Sequence, residues 1–130
     1  MQWYDSEGRI LYWNTASEIL YGWSSNEVMG KTLDQFIYGP EEAEGFLRIL
    51  KEIEKTGVKY GPYESPIHRK DGSTGWIMCT TFSFPLEAGR TGFVCMDVDI
   101  TERKLAEEQL LIAKEKAEKY NIINEARLRL

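Results

Sequence analysis

The stretch GFVCMDVDITERK, residues 92–104, joins a predicted strand directly to a long charged helix. Apolar and β-branched residues dominate up to Ile100, which is typical of a strand, and a charged run follows without any turn residue. The side-chain oxygen of Asp99 or Thr101 can cap the new helix, and Glu102 suits its positive N-terminal end. Because strand and helix are fused, a change in the sheet would be passed on to whatever the helix joins. This arrangement favours a sensor with an output segment over a self-contained catalyst.

The helix predicted over residues 101–130 is too long for a small domain to cover. Its apolar residues at three- and four-residue spacing form a seam of Ala106, Leu110, Ala113, Ala117 and Tyr120. Such a seam indicates a coiled coil, although this one is rich in alanine and spans few heptads. We therefore interpret the helix as the interface of a homodimer. The alternative is a helix that folds back onto its own sheet.

Composition and charge exclude several functional classes. The chain has 130 residues, enough for one domain with its own core over residues 1–100 and a helical appendage over 101–130. Its net charge is -5, and no basic patch indicates a nucleic-acid surface. No apolar run reaches membrane-spanning length, so we expect no direct membrane contact. Cys79 and Cys95 lie in separate predicted strands, which favours reduced thiols and a cytoplasmic setting.

The segments before residue 92 alternate strand patterns with turn and helix-cap signals. Pro62 and Pro66 interrupt one strand pattern, which predicts a bulged or edge strand there. Strands at both ends of a helical middle predict an α+β domain with one antiparallel sheet and helices over one face. The predicted elements are strands at 3–4 and 9–13, short helices at 14–22 and 24–30, a longer helix at 40–57, and strands at 58–68, 75–84 and 91–100.

Three ordered blocks carry a family resemblance: DSEGRILYWNTASEILYGWSSNEVMGK (5–31), HRKDGSTGWI (68–77) and GFVCMDVDITERK (92–104). They resemble the PAS domains of bacterial and archaeal sensors, and the resemblance covers residues 3 to about 104. It implies a five-stranded antiparallel sheet whose short helices enclose a pocket, followed by a linker helix. It also implies a sensory or dimerisation module that is not an enzyme. Such modules signal to an output domain in the same chain, of the histidine kinase or diguanylate cyclase type.

The resemblance also assigns roles at the strand–helix junction. Asp99 would anchor the junction, Thr101 would cap the helix, and Arg103 would pair with a carboxylate of the domain core. A ligand-dependent change in the sheet would then rotate or shift the paired exit helices through Asp99, Ile100 and Thr101. The helical pattern runs to residue 130 without a C-cap glycine, so we expect the native helix to continue towards the output domain.

The residues oppose the cofactors that PAS relatives use most often. Light-sensing relatives bind flavin beside a reactive cysteine, but residues 30–37 contain no cysteine and have Leu33 near that position. Haem-binding relatives use a histidine on the long helix, whereas the one histidine here, His68, lies at a hairpin. Two cysteines do not supply a metal or iron–sulfur site, so we expect neither a metal nor a covalently bound cofactor. A redox-active pair of Cys79 and Cys95 is a less favoured alternative to two packed thiols.

Strand alternation gives a candidate ligand pocket when the inward face is taken from the resemblance. Asp97 stands out because a carboxylate on an apolar face needs a partner or a shifted pKa. It could bind a ligand, reach water, or pair with Arg9 or Lys31. The predicted lining is Leu33, Phe36, Ile37, Phe46, Ile49, Ile77, Cys79, Thr81, Phe93, Cys95 and Asp97.

Three functional interpretations remain open at this point. The first is a sensor for a small organic ligand, with an unidentified ligand and no cofactor of known type. The second is a ligand-free dimerisation module, in which Leu33, Phe36, Ile37 and Phe46 simply fill a packed core. The third is a redox or gas sensor that holds haem or flavin without the usual residues.

Overall fold

The computed structural model describes residues 1–129 and contains one five-stranded sheet, four α-helices and two short 3-10 turns. The strands are β1 (Gln2–Tyr4), β2 (Ile10–Trp13), β3 (Tyr60–His68), β4 (Thr74–Pro85) and β5 (Thr91–Asp99). The helices are α1 (Thr15–Tyr21), α2 (Ser25–Val28), α3 (Pro40–Thr56) and α4 (Thr101–Leu128), and the 3-10 turns are Leu33–Gln35 and Glu87–Gly89.

The sheet has the strand order β2-β1-β5-β4-β3, and all of its pairings are antiparallel. This confirms the predicted α+β architecture. β5 lies at the centre, between the first strand of the chain and β4. β3 lies at an edge and shifts its register between Tyr60 and Tyr63, around Pro62. The prolines of β3 therefore occur in the edge position where a missing backbone donor does least harm.

The short helices begin and end at the residues whose chemistry suits those positions. The Asn14 side chain accepts a hydrogen bond from the Ser17 amide, and Gly22 ends α1 with φ 78°. Ser24 and Glu27 form a reciprocal capping box at the start of α2. Because these caps hold short segments of few turns, they fix the path of the chain along one side of the sheet.

One face of the central strands is buried and the other is partly exposed, as the alternation predicted. Ile77, Cys79 and Thr81 of β4 are buried on the inner face, as are Phe93 and Cys95 of β5. The residues between them include four exposed or half-buried side chains on the outer face: Trp76, Met78, Met96 and Val98. Helix α3 adds four buried residues to the core: Ala43, Phe46, Leu50 and Ile53.

The chain divides into two compact units, Met1–Asp99 and a helical unit that begins at Ile100. In the helical unit, Ile100 occupies the N-cap position of α4 and makes no side-chain capping hydrogen bond. The predicted capping role of Asp99 or Thr101 stays a prediction. Asp99 still pairs with Ile77 as the last residue of β5, and Thr101 is already the first helical residue.

Within α4, the guanidinium of Arg103 pairs with Glu107 one turn later, at 3.4 Å. The predicted pairing of Arg103 with a core carboxylate stays a prediction. The five residues of the predicted dimer seam are all exposed along α4. Across residues 1–129, no helix combines the length and the apolar content that crossing a bilayer would require.

Candidate functional site

A small cavity lies against the inner face of the sheet. Its volume is about 20 Å³, which is room for about one water molecule. The cavity is lined by residues from the sheet, from α1 and α3, and from the segment between α2 and α3. These are Gln2, Tyr4, Tyr21, Leu33, Ile37, Tyr38, Phe46, Tyr63, Ile77, Cys79, Cys95 and Asp97.

Most of the predicted pocket residues line this cavity: Leu33, Ile37, Phe46, Ile77, Cys79, Cys95 and Asp97. The other four predicted residues lie outside its lining, each for a packing reason. Phe36 packs edge-to-face against the rings of Trp13 and Trp23. Ile49 lies one turn further along α3 and lines a separate surface groove. Thr81 and Phe93 are completely buried in the sheet around the cavity.

Five lining residues were missed by the sequence reasoning, and all five are polar: Gln2, Tyr4, Tyr21, Tyr38 and Tyr63. Alternation in β1 could have found two of them, because Gln2 and Tyr4 share the face opposite Trp3. The other three come from a helix end, a loop and an irregular strand, where no simple periodicity applies. The cavity is consequently more polar than the apolar pocket that the sequence predicted.

Asp97 is the polar centre of this cavity. The Tyr21 hydroxyl donates a hydrogen bond of 2.7 Å to Asp97 Oδ2. The other oxygen, Oδ1, is buried and has no hydrogen-bond partner among the described residues. The alternative partner Arg9 instead pairs with Asp5 and Glu7 of its own turn.

The tyrosines around Asp97 are held in their neutral form. Burial, together with the nearby Asp97 carboxylate, raises the pKa of Tyr4, Tyr21 and Tyr38 above the ordinary value of 10.0. Both causes disfavour a second negative charge in a confined space. The phenol groups therefore remain hydrogen-bond donors at every physiological pH.

The two cysteines form part of the cavity wall as free thiols. The Thr81 hydroxyl lies 3.3 Å from the Cys95 sulfur and 3.6 Å from the Cys79 sulfur. Hydrogen bonding with Cys79, followed by burial, raises the pKa of the Cys95 thiol. A thiol with a raised pKa is a poor nucleophile, so this arrangement favours two packed thiols over a redox-active pair.

A hydrogen-bond network connects the end of α1 with the end of β5. The Arg69 side chain donates to the Leu20 carbonyl at 2.9 Å and to the Thr74 carbonyl at 2.8 Å. Its guanidinium also lies 3.7 Å from the Asp99 carboxylate. Tyr21, next to Leu20, holds Asp97 through its hydroxyl. The cavity and the last residue of the sheet are thus joined through a few directional contacts.

Two surface grooves share walls with the cavity. A groove of about 310 Å³ is bordered by Leu33 and Phe46, which also line the cavity. A second groove of about 490 Å³, between α3 and β3, shares Tyr38, Phe46 and Tyr63 with it. The Phe46 ring therefore borders all three spaces, and its displacement would join them.

Metal binding has no ready site in this part of the molecule. The residues that the structure describes contain no cluster of three or more His, Cys, Asp or Glu side chains suited to a metal ion. The chemistry available at the site is therefore that of an apolar cavity with one carboxylate and several phenols.

The sequence matches the family model described as PAS domain over residues 3–102. The chain belongs to the PAS domain family. A curated relative, Two-component system protein A of Emericella nidulans, is 30% identical over 121 residues. That alignment covers 87% of this chain and 16% of the relative, so the chain spans about a sixth of that protein's length.

Solved PAS domains have the same fold. One from Colwellia psychrerythraea is 26% identical, with a TM-score of 0.60 over 78% of this chain and 86% of that one. The PAS domain of the RpfR quorum-sensing receptor of Cronobacter turicensis, solved in complex with BDSF, is 24% identical. Its TM-score is also 0.60, over 77% of this chain and 91% of that domain.

Proposed function

We propose that this PAS domain senses a small ligand in the cavity around Asp97 and transmits the change through α4. The output domain would belong to the same polypeptide and be of the histidine kinase or diguanylate cyclase type, with the active form a homodimer. The 30% identity to a two-component system protein supports this role. Any enzymatic activity would reside in the output domain, because the site described here offers no nucleophile paired with a base.

Ligand uptake would require the cavity to expand. Ligand pockets usually measure about 300–1,000 Å³, far more than the 20 Å³ present here. The grooves on either side of Phe46 supply the missing space once that ring moves. A related PAS domain, that of RpfR, is known in complex with BDSF and with C12:0, which supports small-molecule binding in this fold.

The observation that carries the proposal is the position of Asp97 in both the cavity and the last strand. Asp97 lines the cavity, and it lies two residues before the end of β5. A ligand that competes for the Tyr21–Asp97 hydrogen bond would disturb the end of α1, which Arg69 joins to Asp99. Two arrangements that differ by a few kcal/mol are enough for a switch.

Nuclear magnetic resonance of the purified chain tests this relay. A Tyr21→Phe variant removes the hydroxyl that holds Asp97, and we expect its largest remote amide shifts at Arg69, Asp99 and Thr101. Tyr60→Phe is the matched control, since Tyr60 is an exposed tyrosine on the edge strand. Equal effects of the two variants at Asp99 and Thr101 would remove the proposed route.

Dimerisation through α4 is tested with a pair of neighbouring leucines. Leu110 lies in the seam, whereas Leu111 lies off the seam, and both are exposed. We expect sedimentation velocity to show a dimer for the native chain and for Leu111→Asp, and a monomer for Leu110→Asp. A native monomer, or a dimer insensitive to Leu110→Asp, would contradict the proposed interface.

The small cavity volume favours a second candidate, the ligand-free dimerisation module. A native mass spectrum and an absorption spectrum of freshly purified protein distinguish the candidates. Extra mass on a colourless protein supports a bound small ligand. A mass equal to the chain or its dimer, with no ligand found by later titration, supports the ligand-free module. A Soret or flavin band would instead establish a haem or flavin sensor.

A further inference from the structure

The cavity presents an unused hydrogen-bond acceptor. Asp97 Oδ2 is occupied by the Tyr21 hydroxyl, but Oδ1 is buried without a partner in the described part of the chain. A buried carboxylate oxygen to which no protein group donates is costly unless another donor reaches it. A ligand group that donates a hydrogen bond would therefore gain the most binding free energy at Asp97 Oδ1.

Two donors of the cavity wall are engaged with groups other than Asp97. The Tyr4 hydroxyl lies 3.5 Å from Gln2 Oε1, and the Gln2 amide donates to the Ser17 hydroxyl at 2.8 Å. Among the twelve described lining residues, Asp97 is the one carboxyl group, and none is Lys, Arg or His. The cavity therefore offers one carboxylate and no cation to an incoming ligand.

The approach past Leu33 and Phe46 has the same electrostatic character. This groove includes the apolar Leu47 and three acidic residues, Glu7, Asp34 and Glu44, of which Glu7 pairs with Arg9. The unit from 1 to 100 carries 15 acidic and 9 basic side chains, so its net charge is -6. An anionic ligand would be repelled both at the entrance and at Asp97, whereas a cation would be attracted at both.

We infer that this domain selects a small organic ligand with a hydrogen-bond donor, best an ammonium or amidinium group, on an apolar or aromatic body. The inference rests on the proposed sensing function and names its ligand class. The cationic head donates to Asp97 Oδ1, and the phenol faces around it stabilise the positive charge further. The apolar body takes the space that Phe46 vacates between the cavity and the groove. A carboxylate of the same size is rejected.

Three probes that share one ring test this inference: benzylamine, benzyl alcohol and benzoate. Each is titrated into the native chain and into Phe46→Ala, which opens the wall in advance, while amide shifts are recorded. We expect benzylamine to bind Phe46→Ala at least tenfold more tightly than benzoate, with benzyl alcohol in between. Adding Asp97→Asn should abolish the preference, whereas adding Asp34→Asn, at the groove rim, should preserve most of it.

The outcomes separate this inference from the proposed function. Benzoate binding as tightly as benzylamine, or a preference that survives Asp97→Asn, overturns the ligand class and leaves a ligand-sensing cavity intact. If none of the three probes shifts the Asp97 and Tyr21 signals, in either the native chain or Phe46→Ala, ligand sensing is overturned as well. If Phe46→Ala does not fold, Leu33→Ala opens the same wall from the other side.

Discussion

The unit from Met1 to Asp99 buries large apolar side chains, whereas helix α4 leaves its own exposed. Phe93 and Leu50 in the first unit are 0% exposed, whereas Leu110 in α4 is 72% exposed. None of the described residues of α4 is buried. The first unit thus obtains its stability from its own core. If the proposed homodimer covers the apolar residues of α4, their contribution to stability will depend on protein concentration.

Alkaline pH should cause the largest loss of stability, and this loss should arise in the first unit because that unit buries neutral tyrosines. Tyr4, Tyr21 and Tyr38 have pKa values raised above 10.0 by burial and by nearby negative groups such as Asp97. Below pH 10.0 these phenols are neutral in both states and stability is unaffected. Above it, only the unfolded chain releases their protons, so the free energy of unfolding falls as pH rises.

The three groups together should remove about 4 kcal/mol per pH unit, at about 1.4 kcal/mol each. Typical domain stabilities of about 5–15 kcal/mol would then be exhausted between about pH 11 and 14. Circular dichroism reports unfolding and phenolate absorbance reports tyrosine ionisation. In one pH titration, these buried tyrosines should ionise over the same pH range in which the native dichroism is lost. Ionisation of all tyrosines while the native spectrum persists would contradict the burial described here.

Truncating one apolar side chain in each unit should give the next largest difference in the free energy of unfolding. Phe93→Ala leaves a cavity at the centre of the sheet and should cost about 3–5 kcal/mol. Leu110→Ala removes an exposed side chain and should change the stability of dilute protein by about 0.5 kcal/mol or less. Urea denaturation followed by tryptophan fluorescence measures both. A large loss for Leu110→Ala would favour the helix folded back onto its own sheet.

The fold was predictable where one local rule determines each element. Alternation separated the two faces of β4 and β5, the family resemblance chose the inner one, and the Ser24–Glu27 spacing gave the start of α2. The end of β5 was predicted one residue too late, because the apolar Ile100 continues the strand pattern although it already occupies the N-cap position of α4. The capping role of Asp99 or Thr101 stays a prediction.

The site was harder to predict than the fold. Its apolar wall followed from alternation, but the tyrosines that surround Asp97 arrive from separate parts of the chain. Tyr21 ends a helix, Tyr38 lies in a loop, and Tyr63 follows a register shift. Only the folded sheet brings these tyrosines to the same cavity as Asp97 and places the Tyr21 hydroxyl on its carboxylate. The partners expected from the sequence were Arg9 and Lys31 instead.

The Tyr21–Asp97 hydrogen bond should contribute an intermediate amount to the stability of the first unit. Tyr21→Phe leaves Asp97 Oδ2 without its donor in a buried site and should cost about 1–3 kcal/mol. Tyr60→Phe, on the exposed edge, should cost about 0.5 kcal/mol or less. Chemical denaturation at neutral pH compares the two. Equal losses would mean that water enters the cavity and replaces the lost hydroxyl.

The capping box of α2 should give the smallest effect, and it tests how the first unit fixes its short helices. The Ser24 hydroxyl accepts a hydrogen bond from the Glu27 amide at 3.3 Å, and the Glu27 carboxylate accepts one from the Ser24 amide at 2.8 Å. Ser24→Ala should therefore cost about 1 kcal/mol, and Ser24→Thr should restore most of it.

Ser25→Ala is the matched control for that change. Ser25 is the first helical residue, its side chain takes no part in the capping box, and alanine favours a helix. We expect a change of about 0.5 kcal/mol or less in denaturation experiments. Because α2 has only one turn, its helical conformation depends on the capped ends more than that of the much longer α4 does. If Ser24→Ala were as harmless as Ser25→Ala, α2 would be held by its other contacts, such as the packing of the completely buried Val28 and the Lys70–Glu27 pair at 2.6 Å.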